Sequence, residues 1–328
     1  MTEIGAIRME TTGEPDVMRW GQHPLPEPGE GEIRIRHRAI GVNFIDTYHR
    51  SGLYPVPMPS GIGLEGAGTI EAVGPGVSDL AVGNRVAYCS GPIGAYADAH
   101  VIKAERAVLL PDWLDDDTAA ASLLKGLTVQ YLIRQIQSCT PETTVLFHAA
   151  AGGVGQIAMQ WLRHLGSTVI ATAGGEAKCE IARRLGADHV IDYHATDVAP
   201  AVRAFTDGRG VDVVYDGVGA STWLASLDSL RPRGLMVSFG NASGPVRDVD
   251  LGILSAKGSL FVTRPTLVHY TATRDMLQAA AADFFATLQT GAVQIAKPAV
   301  YPLEDAVTAH KDLEARKTTG SVILRPSS

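Results

Sequence analysis

Cysteine is scarce in this sequence, with three residues in 328. Cys89, Cys139 and Cys179 are odd in number and widely spaced, which favours reduced thiols over a disulfide framework. No apolar run approaches the length of a membrane span, and the opening residues MTEIGAIRME lack the basic and then apolar pattern of a signal peptide. We therefore expect a cytoplasmic protein with no membrane segment.

An excess of basic charge is also lacking. The formal net charge is -7, and aromatic residues make up only 6% of the chain. An acidic balance gives no general attraction for polyanions, and basic patches interleaved with aromatic residues are missing. Nucleic acid is therefore not the expected partner.

The chain is longer than one compact core usually requires, so we expect two domains. The first 125 residues are typical of β structure broken by glycine and proline. In Glu32–Val42, for example, Ile33 and Ile35 alternate with charged residues, which is the pattern of a half-buried strand. These segments predict a small, irregular β-barrel.

After a helical stretch that begins near Thr118, apolar strands alternate with helices. This pattern predicts a parallel sheet covered by helices on both faces. The tail predicts a helix, a strand, a helix and a last strand, which could pack back onto the first domain. The six strand candidates of the sheet are TVLFHA, TVIATA, DHVIDY, VDVVYDGVG, GLMVSFGN and SLFVTRPT.

The sharpest local signal is VLFHAAAGGVGQIAMQWLRHLG, where an apolar strand runs into the turn Ala150-x-Gly152-x-x-Gly155 and then into an amphipathic helix. Glycines let backbone N–H groups approach a pyrophosphate, and the helix N-terminus favours an anion. A glycine triplet alone is weak evidence, and its first position here is Ala. The strand before it, the helix after it and the next strand together predict a dinucleotide-binding domain of the Rossmann type.

The end of the second strand, TVIATA, bears on the choice of cofactor. Sites that prefer NAD usually place Asp or Glu there for the ribose hydroxyl, whereas this chain has Ala173-Gly174-Gly175. Lys178 follows and could meet a 2′-phosphate, so we expect NADPH rather than NADH. Glu176 could be an NAD-type acid, but a place at a helix N-terminus gives it an ordinary capping role.

The first domain also lacks the residues that could bind zinc. Cys89 is the only cysteine before residue 139, so the first domain can build neither a catalytic nor a structural zinc site. Without a Lewis acid, the acceptor of a hydride must give an anion that is already stable. A quinone fits because its reduced oxygen is phenolate-like, and a conjugated enone or enal also fits. A plain ketone does not.

Several motifs are specific enough to carry a resemblance to a family. Those of greatest weight are GVNFIDTYHRSGLYP (41–55), SLLKGLTVQYL (122–132), FHAAAGGVG (147–155), PRGLMVSFGN (232–241), LGIL (251–254) and KGSLFVTRPTL (257–267). The chain closely resembles the zinc-free quinone oxidoreductases of the medium-chain dehydrogenase/reductase superfamily over essentially its whole length.

The resemblance implies a discontinuous GroES-like catalytic domain, residues 1–125 and 267–328, and a Rossmann NADPH-binding domain, residues 126–266. It also implies a homodimer in which the strand near Ser259 to Thr263 pairs with its copy in the partner. The sequence alone says only that an apolar strand ends the sheet and needs cover.

The resemblance also places catalytic roles. Asn43 stands where zinc enzymes of the superfamily carry a ligand cysteine, and Gly63-Leu64-Glu65 replaces their Gly-His-Glu. Asn43, Tyr48 and Tyr54 resemble residues beside the nicotinamide. Tyr48 could instead pack a short helix, and Tyr54 could be a turn aromatic. For Lys125 we expect a structural role rather than that of a catalytic base.

Cofactor contacts are implied in the same way. Lys178, Tyr193 and Arg316 resemble the residues around the 2′-phosphate and the adenine, and Phe239 and Asn241 lie where the chain meets the nicotinamide. The remaining cofactor residues of the expected site are Tyr131, Ala151, Gly152, Gly153, Val154, Gly155 and Gly174.

The expected mechanism is hydride transfer from NADPH to a quinone or another electron-poor acceptor held in the interdomain cleft. Asn43 and one tyrosine would bond the acceptor's oxygen, with catalysis mainly from juxtaposition and exclusion of water. The nearest alternative is an enone or enal reductase. A non-catalytic NADPH- or RNA-binding protein is the alternative from another class.

Overall fold

The computed structural model describes residues 3–327, which form two compact units. The barrel unit comprises residues up to 125 together with 271–281 and 295 onward, and the nucleotide unit comprises 126–270 and 282–294. The expected domains differ from this division after residue 266. The chain returns to the barrel unit at Thr271, and a short segment, 282–294, belongs to the nucleotide unit.

The strands fall into a hairpin and two larger sheets. They are β1 (Glu3–Arg8), β2 (Arg19–Pro24), β3 (Glu32–Val42), β4 (Glu65–Val73), β5 (Arg85–Tyr88), β6 (Ala99–Lys103), β7 (Val108–Leu109), β8 (Thr144–Phe147), β9 (Thr168–Ala173), β10 (His189–Asp192), β11 (Val211–Asp216), β12 (Leu230–Ser238), β13 (Phe261–Thr263), β14 (Ala299–Pro302) and β15 (Val322–Arg325).

The α-helices lie mostly in the second half of the chain. They are α1 (Phe44–Ser51), α2 (Asp116–Gln130), α3 (Gly153–His164), α4 (Glu176–Leu185), α5 (Val198–Phe205), α6 (Trp223–Ser229), α7 (Gly252–Ala256), α8 (Leu267–Tyr270), α9 (Arg274–Gln289) and α10 (Ala306–Glu314). Among residues 3–327, no helix combines the length and the apolar character that crossing a membrane requires.

The nucleotide unit contains the predicted parallel sheet, with strand order β10-β9-β8-β11-β12-β13. Every neighbouring pair is parallel, so all six carboxyl ends lie along one edge. The order reverses between β8 and β11, and ligands of open α/β sheets bind at such a switch point. All six strand candidates are confirmed, although β13 is short and begins only at Phe261.

Two helices end in ways that the sequence pattern did not indicate. The first, α6, ends at Ser229, and β12 begins directly at Leu230. The long helix expected from Thr118 onward runs as α2 to Gln130 and continues as a π-helical turn over Tyr131–Ile136. Such turns insert one residue into the helical repeat and therefore redirect the side chains that follow.

The barrel unit is built around β3, whose neighbours are β4, β6 and β15. Ile33 and Ile35 are fully buried on β3, as their alternation predicts. The C-terminal strand β15 pairs antiparallel with β3, with Val322 opposite Val42. The tail therefore completes the first sheet, and α1 follows directly where β3 ends.

Candidate cofactor and catalytic site

The glycine-rich turn connects β8 to α3 at the centre of the parallel sheet. Ala149 has a φ of 56°, and Gly152 is the N-cap of α3 with an extended φ of -77°. The N-cap residue has no side chain, so it makes no side-chain hydrogen bond to the first N–H groups of the helix. A helix N-terminus of this kind is suited to an anion.

Gly155 shows why the last glycine of the turn is needed. A Cβ atom at this position would lie 2.5 Å from the carbonyl oxygen of Ala149 and 2.6 Å from the Cα of Ala150. Both neighbours are backbone atoms that cannot move aside without moving the turn. The helix therefore packs against the strand more closely than any side chain would allow, as a pyrophosphate-binding turn requires.

The second turn follows β9, and no carboxylate occupies the end of that strand, which finishes at Ala173. A Cβ on Gly174 would collide with the hydroxyl of Tyr193. Gly175, with a φ of 82°, caps α4 and donates its N–H to Asp192 at 3.0 Å. The structure thus brings Gly174, Tyr193 and the first turn of α4 together.

The charged residues of α4 separate into two groups. Glu176 is the first residue of the helix and pairs with Arg183 at 2.6 Å, which agrees with an ordinary role at a helix N-terminus. Lys178 lies one turn from Gly175, to whose carbonyl its backbone N–H donates at 3.1 Å. Arg183 also contacts Glu180 at 3.3 Å, so it belongs to a surface charge cluster.

The ends of β11 and β12 complete the same edge. A Cβ on Gly240 would collide with the backbone of Gly217, so these two turns pack main chain against main chain. Phe239 is half-buried and packs near Phe147, with ring centroids 6.0 Å apart, and Asn241 is buried. These turns, with those after β8 and β9, form a glycine-lined edge that fits NADPH.

A buried network below this edge was not foreseen from the sequence. His148 Nε2 lies 3.0 Å from the hydroxyl of Ser226, which itself donates to the Asp216 carboxylate at 2.7 Å. Ser226 Oγ must therefore accept a hydrogen bond from His148 Nε2–H, and His148 Nδ1 accepts one from the Thr172 hydroxyl at 3.0 Å. Asp216 also accepts the backbone N–H groups of Val218 and Gly219. The network ties the strands β8, β9 and β11 together at their carboxyl ends.

Tyr131 lies at the start of the π-helical turn and is buried. Its ring stacks on Tyr270, with centroids 4.6 Å apart and planes within 12°. Burial raises the pKa of the Tyr131 hydroxyl above its usual range, and the charge of Arg264 opposes that rise. Sequence reasoning singled out Tyr131 but neither Tyr270 nor Arg264, because each becomes its neighbour only through the fold.

The three expected catalytic residues come together at one end of β3 and on α1. Asn43 is the N-cap of α1, and Tyr48 lies on this helix with 8% of its surface exposed. Tyr54 follows the end of the helix. The rings of Tyr48 and Tyr54 meet edge to face with centroids 5.2 Å apart. The N–H of Tyr54 donates to the Tyr48 carbonyl at 3.0 Å, which fixes the turn between them.

Asn43 has a charged environment that its sequence neighbours do not reveal. Its side-chain Nδ2 donates to Glu65 Oε2 at 2.7 Å, and the Lys125 ammonium lies 3.6 Å from the same oxygen. Glu65 is completely buried, and Lys125 is 6% exposed. Lys125 lies within α2 and is the charged partner of this buried carboxylate.

A second buried polar group lies on α1. The Asp46 carboxylate accepts the Tyr96 hydroxyl at 2.9 Å, and that hydroxyl lies 3.0 Å from His310 Nε2. Burial raises the pKa of Asp46 to about 7 and lowers that of His310 to about 3. Arg50, 2% exposed, forms a bidentate pair with Glu314 at 2.7 and 2.8 Å. These contacts attach α1 to α10.

Two further observations concern metal and cofactor. Within the part of the chain that the structure describes, no group of three or more His, Cys, Asp and Glu side chains is arranged to hold a metal ion. Arg316 follows α10 in the barrel unit, is exposed and has a φ of 57°. It is the resemblance that associates Arg316 with the cofactor.

Comparison with known proteins finds a family match in each of the two units. Residues 29–112 match the model of the alcohol dehydrogenase GroES-like domain, and residues 153–286 match that of the zinc-binding dehydrogenases. The quinone oxidoreductase of Pseudomonas aeruginosa is 52% identical over 98% of this chain and 99% of its own length. A 2-haloacrylate reductase from Burkholderia is 45% identical over 99% of this chain and 100% of its own.

Solved structures give the same result. Escherichia coli quinone oxidoreductase, in a crystal structure complexed with NADPH, superposes with a TM-score of 0.96 at 47% identity, over 98% of this chain and all of that one. The α/β fold with a GroES-like barrel is therefore confirmed. The chain belongs to the zinc-free quinone oxidoreductases of the medium-chain dehydrogenase/reductase superfamily.

Proposed function

We propose that this protein reduces quinones with NADPH and does so without a metal ion. The observation that carries the proposal is the donor set around Asn43. Where zinc enzymes of the superfamily hold the metal with a thiolate and an imidazole, this chain has an amide and Leu64. The amide is already bonded to Glu65, whose charge is balanced by Lys125. The amide N–H can donate to a carbonyl oxygen, whereas an amide and a carboxylate already paired with Lys125 do not form a zinc ligand set.

NADPH supplies the hydride, and it would be held by the backbone of Ala151 to Val154 and by the glycines of the neighbouring turns. In the barrel unit, Asn43 and either Tyr48 or Tyr54 bond the oxygen of the acceptor. The reduced oxygen of a quinone is phenolate-like, with a proton affinity near that of tyrosine. A tyrosine hydroxyl can therefore stabilise it by a hydrogen bond, and no strong acid is needed.

The preference for NADPH rests on the turn after β9. The strand itself ends at Ala173 without the acid that NAD sites usually carry there, and Lys178 lies in the first turn of the next helix. The alternative of an enone or enal reductase is not favoured, since quinone oxidoreductases match the full chain at 47–52% identity. The 2-haloacrylate reductase matches less closely, at 45%.

The direct test measures consumption of NADPH and of NADH with 1,4-benzoquinone and with an alkenal, alongside metal analysis of the same sample. We expect quinone turnover with NADPH, weaker turnover with NADH and no stoichiometric zinc. Faster turnover of the alkenal would replace the quinone assignment. Loss of turnover on removal of bound zinc would overturn the metal-free mechanism.

Asn43→Ala and Tyr54→Phe test the oxygen contacts in the same assay. Each removes a hydrogen-bond donor while preserving most of the local packing, and we expect quinone turnover to fall about tenfold or more. Unchanged turnover in both variants would show that the acceptor's oxygen is bonded elsewhere.

We further propose a homodimer formed through β13. This strand is the last of the parallel sheet, and Phe261 and Val262 are 61% and 39% exposed. An apolar edge strand of this kind is a template for pairing with a second chain. Phe261→Lys should convert the dimer to a monomer in light scattering, whereas Val82→Lys, at an exposed position of the barrel unit, should not. A monomeric parent protein would refute the proposal.

A cytoplasmic location is proposed on the state of the thiols. Cys89, Cys139 and Cys179 are all free and buried. Burial raises the pKa of each thiol, and thiols of this kind are structural rather than reactive. Fractionation of the native host should recover the quinone reductase activity with the cytoplasmic markers, and recovery with the membranes would contradict the proposal.

A further inference from the structure

Glu65 begins β4 inside the barrel unit and has no exposed surface. Its Oε1 accepts the backbone N–H of Leu124 at 2.7 Å, and its Oε2 accepts Asn43 Nδ2 at the same distance. A Cβ on Gly41 would collide with this carboxylate and with the carbonyl of Ala120. The backbone at Gly41 and Leu124 therefore packs directly against the Glu65 carboxylate and restricts its position.

Lys125 supplies the balancing charge. Its Nζ lies 3.6 Å from Glu65 Oε2 and 3.5 Å from the carbonyl of Val42, the residue before Asn43. Burial raises the pKa of Glu65, and the Lys125 charge and the hydrogen bonds from Asn43 and Leu124 counter that rise. A buried ion pair adds little stability compared with apolar side chains of the same volume. We therefore ask which neighbouring groups the Glu65–Lys125 pair orients.

The pair fixes which end of the Asn43 amide faces it. Leu124 N–H and the Lys125 ammonium are both donors, so the carboxylate between them can only accept. The amide nitrogen of Asn43 must therefore face Glu65. The main chain of Asn43 is fixed as well, because its N–H donates to the Asp46 carboxylate at 2.9 Å and its carbonyl accepts the Asp46 N–H at 3.0 Å.

One hydrogen of the Asn43 amide is committed to Glu65, and the second remains as a donor. We propose that Glu65 and Lys125 are positioning residues that hold this second N–H ready for the oxygen of the acceptor. The proposal rests on the function proposed above, in which Asn43 bonds that oxygen. Without an accepting carboxylate the Asn43 amide can rotate by 180°. Its Oδ1 would then face the oxygen of the acceptor, and two hydrogen-bond acceptors would repel each other.

Glu65→Gln is the primary variant because it keeps the shape and replaces one accepting oxygen by a donor. We expect kcat with 1,4-benzoquinone to fall about tenfold to a hundredfold, the range for a hydrogen bond to a charged group. The Kd for NADPH, measured by fluorescence titration, should change less than twofold. Glu71→Gln makes the same substitution on the same strand, where the carboxylate binds Arg34 and Arg36, and should retain full turnover.

Glu65→Gln leaves Lys125 without its partner, so its folding is followed by thermal unfolding. In Glu65→Gln/Lys125→Met the charges balance again. This double variant should regain thermal stability and keep the low kcat, whereas a merely structural pair would regain turnover together with stability. Full turnover in the double variant would overturn the proposal.

A double-mutant cycle with Asn43→Ala separates the two proposals. If Glu65 acts through Asn43, then Glu65→Gln should have no further effect on kcat in the Asn43→Ala background. If Asn43→Ala lowers kcat but the two effects multiply, the positioning role is wrong and the role of Asn43 stands. If Asn43→Ala leaves kcat unchanged, the proposed oxygen contact itself fails.

Discussion

The glycine-rich turn of the nucleotide unit and the polar cluster of the barrel unit are built in opposite ways. Residues 150–155 form the turn from one continuous stretch, and its key feature is a glycine at Gly155, where no side chain fits. The polar cluster, defined here as Asn43, Asp46, Glu65, Lys125 and the groups that they contact, is assembled from distant segments and consists of polar and charged side chains. The turn is therefore sensitive to added volume, and the cluster to unbalanced charge.

Adding one methyl group to the turn should have the largest effect. In Gly155→Ala the new Cβ meets backbone atoms at 2.5 and 2.6 Å, so the turn itself must shift. We expect the Kd for NADPH in a fluorescence titration to rise about a hundredfold, which corresponds to about 3 kcal/mol.

Gly252→Ala is the matched control within the nucleotide unit, since its Cβ would come no closer than 3.2 Å to its nearest neighbour, the Asp250 side chain. It should bind NADPH like the parent protein. An equal loss in both variants would show that the turn has no special sensitivity to volume, and the contrast with the cluster would fail.

Unbalancing a charge at the edge of the polar cluster should have the next largest effect. Glu314→Gln leaves Arg50 buried without its carboxylate. We expect the free energy of unfolding in urea to fall by about 3 kcal/mol, because an unpaired buried charge is costly. Asp16→Asn breaks the exposed pair with Lys311 on the same helix α10 and should change it by less than about 1 kcal/mol. Similar losses would mean that burial does not distinguish the two pairs.

The pH dependence of stability tests the cluster without removing a contact. Burial raises the pKa of Asp46 to about 7, above its value in the unfolded chain. Between about pH 4 and 7 the folded state keeps a proton that the unfolded state has lost, so stability falls as the pH rises through this window. The Asp46 contribution alone should lower the free energy of unfolding by about 2–3 kcal/mol from pH 5 to pH 8, measured as the difference between the parent protein and Asp46→Asn.

His310 shifts stability in the opposite direction at lower pH. Its pKa is lowered to about 3, so protonation of the unfolded chain alone destabilises the fold as the pH falls below about 6.5. Urea unfolding at pH 5 and pH 8, in the parent protein and in Asp46→Asn, isolates the Asp46 contribution. Parallel pH profiles for the two proteins would contradict the prediction.

The smallest effect is expected at the adenosine end of the cofactor. Lys178→Ala should raise the Kd for NADPH about tenfold and leave that for NADH unchanged, because only NADPH carries the 2′-phosphate. Arg184→Ala, on the same helix, is the control and should alter neither. An equal change for both cofactors in Lys178→Ala would assign Lys178 a general rather than a phosphate-specific role.

Particular residues show how far the sequence carries. The six strands and the start of α3 followed from apolar runs and glycines, because these signals are local. The end of α6 at Ser229 did not, since Leu230 onward enters the sheet only through pairing with β11 and β13. His148 and Ser226 were missed for a similar reason, as they are 78 residues apart and meet only when α6 packs against the sheet.

The sequence by itself determined that a dinucleotide turn follows β8, that no acid closes β9 and that a zinc ligand set is missing, because each depends on residue types at short spacing. Tertiary structure alone decided that Glu65 faces Asn43 and that Lys125 balances it. It likewise decided that Asp46 reaches Tyr96 and His310. Contacts across 22 to 214 residues depend on how the barrel closes, and no local pattern encodes that closure.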